Sequence, residues 1–162
     1  WFPDGRINLY ENCITKNLKR KNKIAIVTVN QDKEIKKYSY REIDKSVNKI
    51  TSYLKKFSNK KKIKIMIHSS ASLESALLML ACAKLGVHFS VIFEELEVIG
   101  IKNRIKLFKP DLFIAKTNNQ KLNNHIIPAI KSYKKIPVII TFLPSAENVT
   151  IRGMHSTSHY LY

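Results

Sequence analysis

A repeated alternation of short apolar segments and helical segments between residues 63 and 142 limits the fold of this chain more than any other feature. The apolar segments have the nearly continuous hydrophobic character of strands that are buried on both faces. The predicted strands are Ile63–Ile67, Val87–Phe93, Leu112–Ala115 and Pro137–Phe142, and the predicted helices are Ser72–Leu85, Glu97–Phe108 and Asn124–Tyr133. This order favours an α/β fold with a parallel sheet and helices on both of its faces.

Local signals mark the ends of these helices. Gly86 follows the first helix, and glycine is the usual residue just past a helix end. The second helix is predicted to stop before Pro110, because a residue that precedes proline is pushed out of the helical region. The helix Ser72–Leu85 is apolar almost all round, so we expect it to be enclosed.

A different pattern precedes the alternation. Two short extended runs, Ile24–Val29 and Glu34–Tyr38, are separated by four polar residues and predict a hairpin. Ser39 and Glu42 then have the spacing of a capping box. The apolar residues after them recur at intervals of three and four and predict an amphipathic helix; they are Ile43, Val47, Ile50, Leu54 and Phe57.

The two ends of the chain have weaker patterns. Residues 8 to 20 predict an amphipathic helix, which either binds a partner or docks on its own domain. Residues 145 to 162 are polar and aperiodic, and we expect them to be loose. We therefore predict an N-terminal helical extension at 1–22, a partial α/β domain at 23–142 and an irregular tail at 143–162.

Net charge is the unusual property of the composition. Lys and Arg number 29 against 12 Asp and Glu, which gives +17. A phosphate-rich or anionic partner is one explanation. The other explanation is a lysine-rich source composition. We favour it, because the lysines are spread along the chain in separate runs, whereas a recognition surface should cluster on one face or carry stacking aromatic residues.

The cysteines and the hydropathy indicate a cytoplasmic protein. Cys13 and Cys82 are isolated and have no metal-ligand spacing, which is typical of reduced packing residues. No segment approaches the length of about 18 uncharged apolar residues that a membrane span requires. We expect no interaction with membranes, and we do not favour nucleic acid as a partner.

The polar residues do not form a self-contained catalytic or metal motif. Of the five histidines, only His155 and His159 share a helical spacing, and they lack the Glu of the HExxH motif. Glu94 and Glu95 follow a strand, where open α/β sheets place functional loops, but neighbouring strand residues point to opposite faces. The glycine-rich phosphate-binding motifs are absent from the sequence. We therefore predict no catalytic residue and no metal site within this chain.

Four stretches resemble the N-terminal part of the AMP-forming acetyl-CoA synthetases. WFPDGRINLYENC resembles their aromatic and Asn-Cys opening, and YSYREIDKSVNKI is similar to their TYREL-like helix. IKIMIHSSASLESALLMLACAKLGVHFSVIF is similar to their core segment with LACARIG, and IKNRIKLFKPDLFIAKT resembles the stretch that follows it. The resemblance implies the N-terminal portion of the large domain of an acyl-adenylate-forming enzyme.

The resemblance also implies a two-step ligase reaction. A short carboxylic acid such as acetate reacts with ATP in the presence of Mg²⁺ to an acyl-adenylate, which then transfers its acyl group to CoA. The phosphate loop and the catalytic lysine of this family have no counterpart in the 162 residues. We therefore expect a fragment or a truncated gene product that is inactive without the remainder of the ligase and that binds none of ATP, CoA and Mg²⁺ tightly by itself.

One family element falls within the chain. Family members carry a basic loop before an Ile-Pro that holds the 3′-phosphate of CoA, and the equivalent region here is QKLNNHIIPAIK. The resemblance implies Lys121 and His125 as the nearest phosphate contacts. Glu94 and Glu95 replace a Gly-Gly pair of the family, and Leu73 replaces a proline.

Two other functions remain open from the sequence. One is a basic α/β module that binds nucleic acid or anionic surfaces without catalysis. The other is a truncated pseudoenzyme that pairs with a full-length ligase. Lysines that converge on one face would favour the first alternative.

Overall fold

The computed structural model describes residues 3–30, 32–57, 63–117, 119–133, 138–142 and 154–156 of the 162-residue chain. The helical elements are α1 (Leu9–Cys13), a 3-10 turn (Thr15–Arg20), α2 (Tyr40–Lys55), α3 (Leu73–Leu85), α4 (Val98–Phe108), α5 (Asn119–Lys121), a π turn (Leu122–Ile126) and α6 (Ile127–Lys131). The strands are β1 (Ile24–Val29), β2 (Ile35–Ser39), β3 (Lys64–His68), β4 (His88–Ile92), β5 (Leu112–Lys116), β6 (Val138–Phe142) and β7 (Met154–Ser156).

These elements form two compact units. The first contains Trp1–Asn59 and Ser72–Gly86, and the second contains Lys60–Ala71 and Val87–Tyr160. The first unit therefore holds the hairpin β1–β2 and helices α1 to α3. The second unit holds β3 to β7 with helices α4 to α6.

Helix α2 forms as its sequence predicts. The Ser39 amide donates to Glu42 Oε2 at 2.7 Å and the Glu42 amide donates to Ser39 Oγ at 3.4 Å, which completes the capping box. The apolar stripe of α2 is buried at Ile43, Val47, Ile50 and Leu54. Phe57 lies beyond the helix end and packs edge-on against Tyr53.

Helix α3 is also confirmed. Ser72 caps it by accepting from the Ser75 amide, and Gly86 ends it with a φ of +65°. A side chain at that φ is strained, so glycine is the residue that closes the helix at low cost. Every residue of α3 is buried or half-buried, as expected for a helix that is apolar all round.

The N-terminal segment is not the single amphipathic helix that we predicted. It consists of the short α1 and a 3-10 turn, and Asn8 caps α1 by accepting from the amides of Tyr10 and Glu11. Asn8 Nδ2 also donates to the Ala83 carbonyl of α3 at 2.8 Å. The segment thus docks on its own unit, which is one of the two alternatives predicted for it.

A polar network fixes this docking. The hydroxyl of buried Tyr10 donates to a carboxylate oxygen of Asp44 on α2, and Lys84 Nζ of α3 donates to that hydroxyl at 3.0 Å. Asn48 joins the network, because its Nδ2 donates to Asp44 Oδ2 at 3.1 Å and its Oδ1 accepts from Lys84. Burial and the neighbouring Asp44 carboxylate raise the pKa of Tyr10. The network connects α1, α2 and α3 through side chains.

The second unit contains the predicted parallel sheet. Its strand order is β4-β3-β5-β6-β7, and every neighbouring pair is parallel. The register aligns Met66 with Ser90 and Phe113, and His68 with Ile92 and Ala115. These residues therefore share one face of the sheet.

Helices α4 and α6 and the π turn cover that face. The core that they form with the sheet contains Met66, Ile92, Ile101, Ile105, Phe113, Ala115, Leu122, Ile126, Ile127, Ala129 and Ile130. Burial of this many large apolar side chains drives the packing of the second unit. The fold class, an α/β fold with a parallel sheet flanked by helices, is confirmed.

Three details differ from the predictions. Residues 154–156 of the tail form β7 beside β6, whereas the rest of the tail lies outside the described residues. Cys13 is exposed, so it is no packing residue, whereas Cys82 is buried; burial raises the pKa of the Cys82 thiol to about 12. The helix predicted at Asn124–Tyr133 starts earlier and is interrupted by the π turn.

Candidate functional site

The carboxyl ends of β3, β4 and β5 meet at one edge of the sheet. Parallel strands place the segments that follow them at the same edge, and open α/β sheets bind ligands there. Ser69 follows β3 and its amide donates to the Ile92 carbonyl at 3.2 Å, which holds the ends of β3 and β4 together. Glu94 and Glu97 come after β4, and Lys121 and His125 come after β5.

Lys121 and His125, the two predicted phosphate contacts, both lie opposite acidic residues of the β4–α4 segment. Lys121 Nζ lies 3.5 Å from the Glu94 carbonyl oxygen and 3.5 Å from Glu94 Oε1. His125 Nδ1 lies 3.1 Å from Glu97 Oε2. The sequence predicted the basic residues but not their acidic partners, because the pairing joins residues that are far apart in the chain.

The π turn determines how these basic residues are presented. The Ile127 amide bonds to the Leu122 carbonyl, five residues back, instead of a carbonyl four residues back. Pro128 explains this, because proline has no N–H to donate and its ring collides with the carbonyl four residues earlier. The extra residue in the turn is a feature that recurs at functional sites. Pro128 inside a helical pattern was the signal in the sequence.

His68 lies beneath these pairs at the end of β3. It is buried, and its ring stacks on Phe113 with a centroid distance of 6.2 Å. Neither ring nitrogen has a hydrogen-bond partner among the residues that the structure describes. Burial lowers the pKa of His68 and outweighs the nearby carboxylate of Glu94, which acts in the opposite direction. The imidazole is therefore neutral at pH 7.

Thr117 is a second buried polar side chain at this edge. It follows β5, and its hydroxyl lacks a hydrogen-bond partner within the described part of the chain. Sequence reasoning missed both His68 and Thr117 as site residues. A histidine at the end of an apolar strand is a visible signal, but its burial depends on the helices that cover the sheet.

The other candidate residues are dispersed. His88 is exposed on the edge strand β4, His155 lies in β7, and His159 is outside the described residues. Glu94 and Glu95 lie in the turn after β4 rather than within a strand. Among the described residues, no three His, Cys, Asp or Glu side chains group as metal ligands. Nor does any described helix have the length and hydropathy to cross a membrane.

Comparison with known proteins defines the class. Residues 15–158 match the family described as AMP-binding enzyme, and this chain belongs to that family. Over 107 residues it is 36% identical to the acetyl-coenzyme A synthetase of Helicobacter pylori (strain P12) and 33% identical to that of Ralstonia pickettii (strain 12J). The resemblance predicted from the four sequence stretches is confirmed.

The aligned region is 65% of this chain but 16% of each of these relatives, so the chain spans a small part of their length. A solved Brucella canis acyl-CoA synthetase superposes on 94% of the chain with a TM-score of 0.74 at 14% identity, covering 27% of that protein. The structure of CmiS6 superposes on 68% of the chain with a TM-score of 0.61 at 23% identity, covering 26% of that protein. Both superpositions support the α/β fold.

Proposed function

We propose that this chain is the N-terminal part of an AMP-forming acyl-CoA ligase that activates acetate or another short carboxylic acid in the cytoplasm. The ligase uses ATP and Mg²⁺ to form the acyl-adenylate and then passes the acyl group to CoA. The observation that carries the proposal is the 36% identity over 107 residues to an acetyl-coenzyme A synthetase. The adenylating groups belong to the remainder of the ligase, so the chain by itself is inactive.

Within this function, the chain contributes a contact surface for CoA. Lys121 and His125 are the proposed contacts of the 3′-phosphate, because both lie at the carboxyl edge of the sheet. Lys121 is about one-third exposed and His125 slightly less, so an anion in solvent can reach them. Lysine acts there as a point charge rather than a bidentate clamp, so the contact is modest.

A chimeric enzyme tests the proposal. The matching segment of the Helicobacter pylori acetyl-coenzyme A synthetase is replaced by this chain, and two reactions are measured. Acetate-dependent exchange of pyrophosphate into ATP reports on adenylation, and acetyl-CoA formation reports on both steps. We expect both activities in the chimera and neither in the isolated chain. A folded chimera without either activity would refute the assignment.

The phosphate contacts are tested in the same chimera. Lys121→Met with His125→Leu should raise KM for CoA roughly threefold, the effect of losing the partly exposed charge of Lys121. Pyrophosphate exchange should not change, because CoA does not take part in adenylation. The matched control is Lys102→Met, which removes an exposed lysine of α4. An unchanged KM for CoA would remove Lys121 and His125 from the proposed site.

A further inference from the structure

The two basic residues at the sheet edge are held by carboxylates of their own chain. Glu94 is about one-quarter exposed and contacts Lys121 through both its carbonyl and its carboxylate. A ligand phosphate that binds Lys121 shares the ammonium group with this carboxylate and is repelled by its negative charge. Both Glu94 oxygens lie 3.5 Å from Lys121 Nζ, so these contacts are long and a ligand oxygen can replace either of them.

The second pair limits His125 in a different way. A carboxylate only accepts hydrogen bonds, so the 3.1 Å contact with Glu97 requires the proton of neutral His125 to be on Nδ1. Nε2 then carries a lone pair and is an acceptor. A phosphate dianion offers acceptors and needs a donor. The Glu97 side chain is largely exposed, and its contact favours, for the neutral form of the ring, the tautomer that gives a phosphate no N–H at Nε2.

We propose that Glu94 and Glu97 are specificity-determining residues that compete with the 3′-phosphate of CoA for Lys121 and His125. They reduce the preference of this chain for CoA over acceptor thiols that lack the 3′-phosphate. The inference rests on the proposed function for the identity of the thiol. The competition for the two basic groups follows from the contacts themselves.

The test compares CoA with dephospho-CoA, which differs only in the 3′-phosphate. Calorimetric titration of the chimeric enzyme described above, with this chain either unaltered or substituted, gives the ratio of the two dissociation constants for each variant. We expect a preference for CoA below roughly threefold in the unaltered chain, as for partly exposed charges. In Glu94→Gln/Glu97→Gln the preference should rise to roughly tenfold, because charge pairs at a rim tune selectivity by such amounts.

Two further variants and one probe separate the explanations. Glu95→Gln removes a carboxylate from the same segment without touching either pair, and it should leave the ratio within twofold of the unaltered chain. Adding Lys121→Met to the double variant should cancel the gain. Inorganic phosphate, followed by NMR at the His125 ring, measures the competition without CoA.

Each outcome has a separate meaning. A CoA preference above tenfold in the unaltered chain, or a preference that Glu94→Gln/Glu97→Gln leaves unchanged, overturns the inference while the proposed function stands. No binding of either thiol, together with tighter phosphate binding in the double variant, supports the competition and refutes the CoA surface. No response to phosphate or to either thiol in any variant of the chimera overturns both the competition and the CoA surface.

Discussion

The first and second units each contain a group of polar side chains with at least one buried member, and the two groups differ in how completely they are hydrogen-bonded. In the first unit, Tyr10, Asp44, Asn48 and Lys84 exchange hydrogen bonds across three helices. In the second, the polar atoms of His68 and Thr117 have no such partner among the described residues.

This difference in hydrogen bonding separates two roles of polar groups within a folded unit. A connected network stabilises one arrangement of its helices, because breaking any member leaves another unsatisfied. A buried group without a partner costs free energy and is not explained by stability. The distinction is not absolute in this chain, since the Thr51 hydroxyl of α2 also lacks a partner among the described residues. His68 and Thr117, however, lie at the carboxyl edge of the sheet, as does the π turn, and open α/β folds bind ligands at that edge.

The largest expected effect breaks the connected network. Asp44→Ala removes the carboxylate that accepts from the buried Tyr10 hydroxyl and from Asn48 Nδ2. We expect the free energy of unfolding to fall by about 2 kcal/mol. Urea denaturation followed by circular dichroism measures it. Lys45→Ala on the exposed side of the same helix is the control and should change stability by less than about 0.5 kcal/mol. Equal effects of the two variants would contradict the role of the network.

Replacing a buried polar group that has no partner should increase the free energy of unfolding. His68→Leu removes two polar nitrogens from a buried position and keeps an apolar side chain against Phe113. We expect a stabilisation of about 1 kcal/mol at pH 7.5, because the unpaired group no longer loses its hydration on folding. The same denaturation measures it, with His88→Leu at an exposed position as the control. A loss of stability in His68→Leu would show that the imidazole is satisfied in the folded chain.

The pH dependence of stability tests the same residue without a large change in packing. Burial lowers the pKa of His68 in the folded state, so as pH falls through about 6.5 the unfolded chain takes up a proton that the folded chain does not. More bound protons in the unfolded state mean that stability decreases as pH decreases. We expect a loss of up to about 1 kcal/mol between pH 7 and pH 5.5, and this part should vanish in His68→Leu. An identical pH profile for both chains would exclude His68 as the source.

The smallest effect concerns Thr117. Thr117→Val keeps the shape of the side chain and removes the unpartnered hydroxyl, so we expect a stabilisation of about 0.5 kcal/mol. Thr28→Val in β1 is the matched control at a half-buried position. Thermal unfolding of both variants measures the difference. If Thr117→Val is less stable than the unaltered chain, the Thr117 hydroxyl makes a hydrogen bond in the folded state.

Much of the fold was predictable because its signals are local. The capping box of α2, the left-handed Gly86 after α3 and the apolar runs of β3 and β5 depend on residues that are close in sequence. The division of the N-terminal segment into α1 and a 3-10 turn was not predicted. Its apolar spacing fits a helix, and the docking contacts of Asn8 and Tyr10 come from residues far away in the chain.

The candidate site was predicted in part for the same reason. Lys121 and His125 were proposed from the family resemblance around an Ile-Pro pair, which is a local pattern, and their role as phosphate contacts stays a prediction. Glu97 and His68 were missed, because their importance arises from a contact and a burial that involve separate elements. The π turn was not predicted, although Pro128 is visible in the sequence, because the helix prediction for Asn124–Tyr133 did not take this proline into account.

By itself, the sequence determined the order of β1 to β6 and of α2 to α4, the parallel α/β class and the family, because hydrophobic period, caps and turn residues act over a few residues. Tertiary structure alone decided which carboxylate faces which basic group, and which polar side chains at the sheet edge are buried. These properties depend on distances between elements that are brought together by the packing of β3, β4 and β5 against α4 and α6. No short stretch of sequence contains those distances.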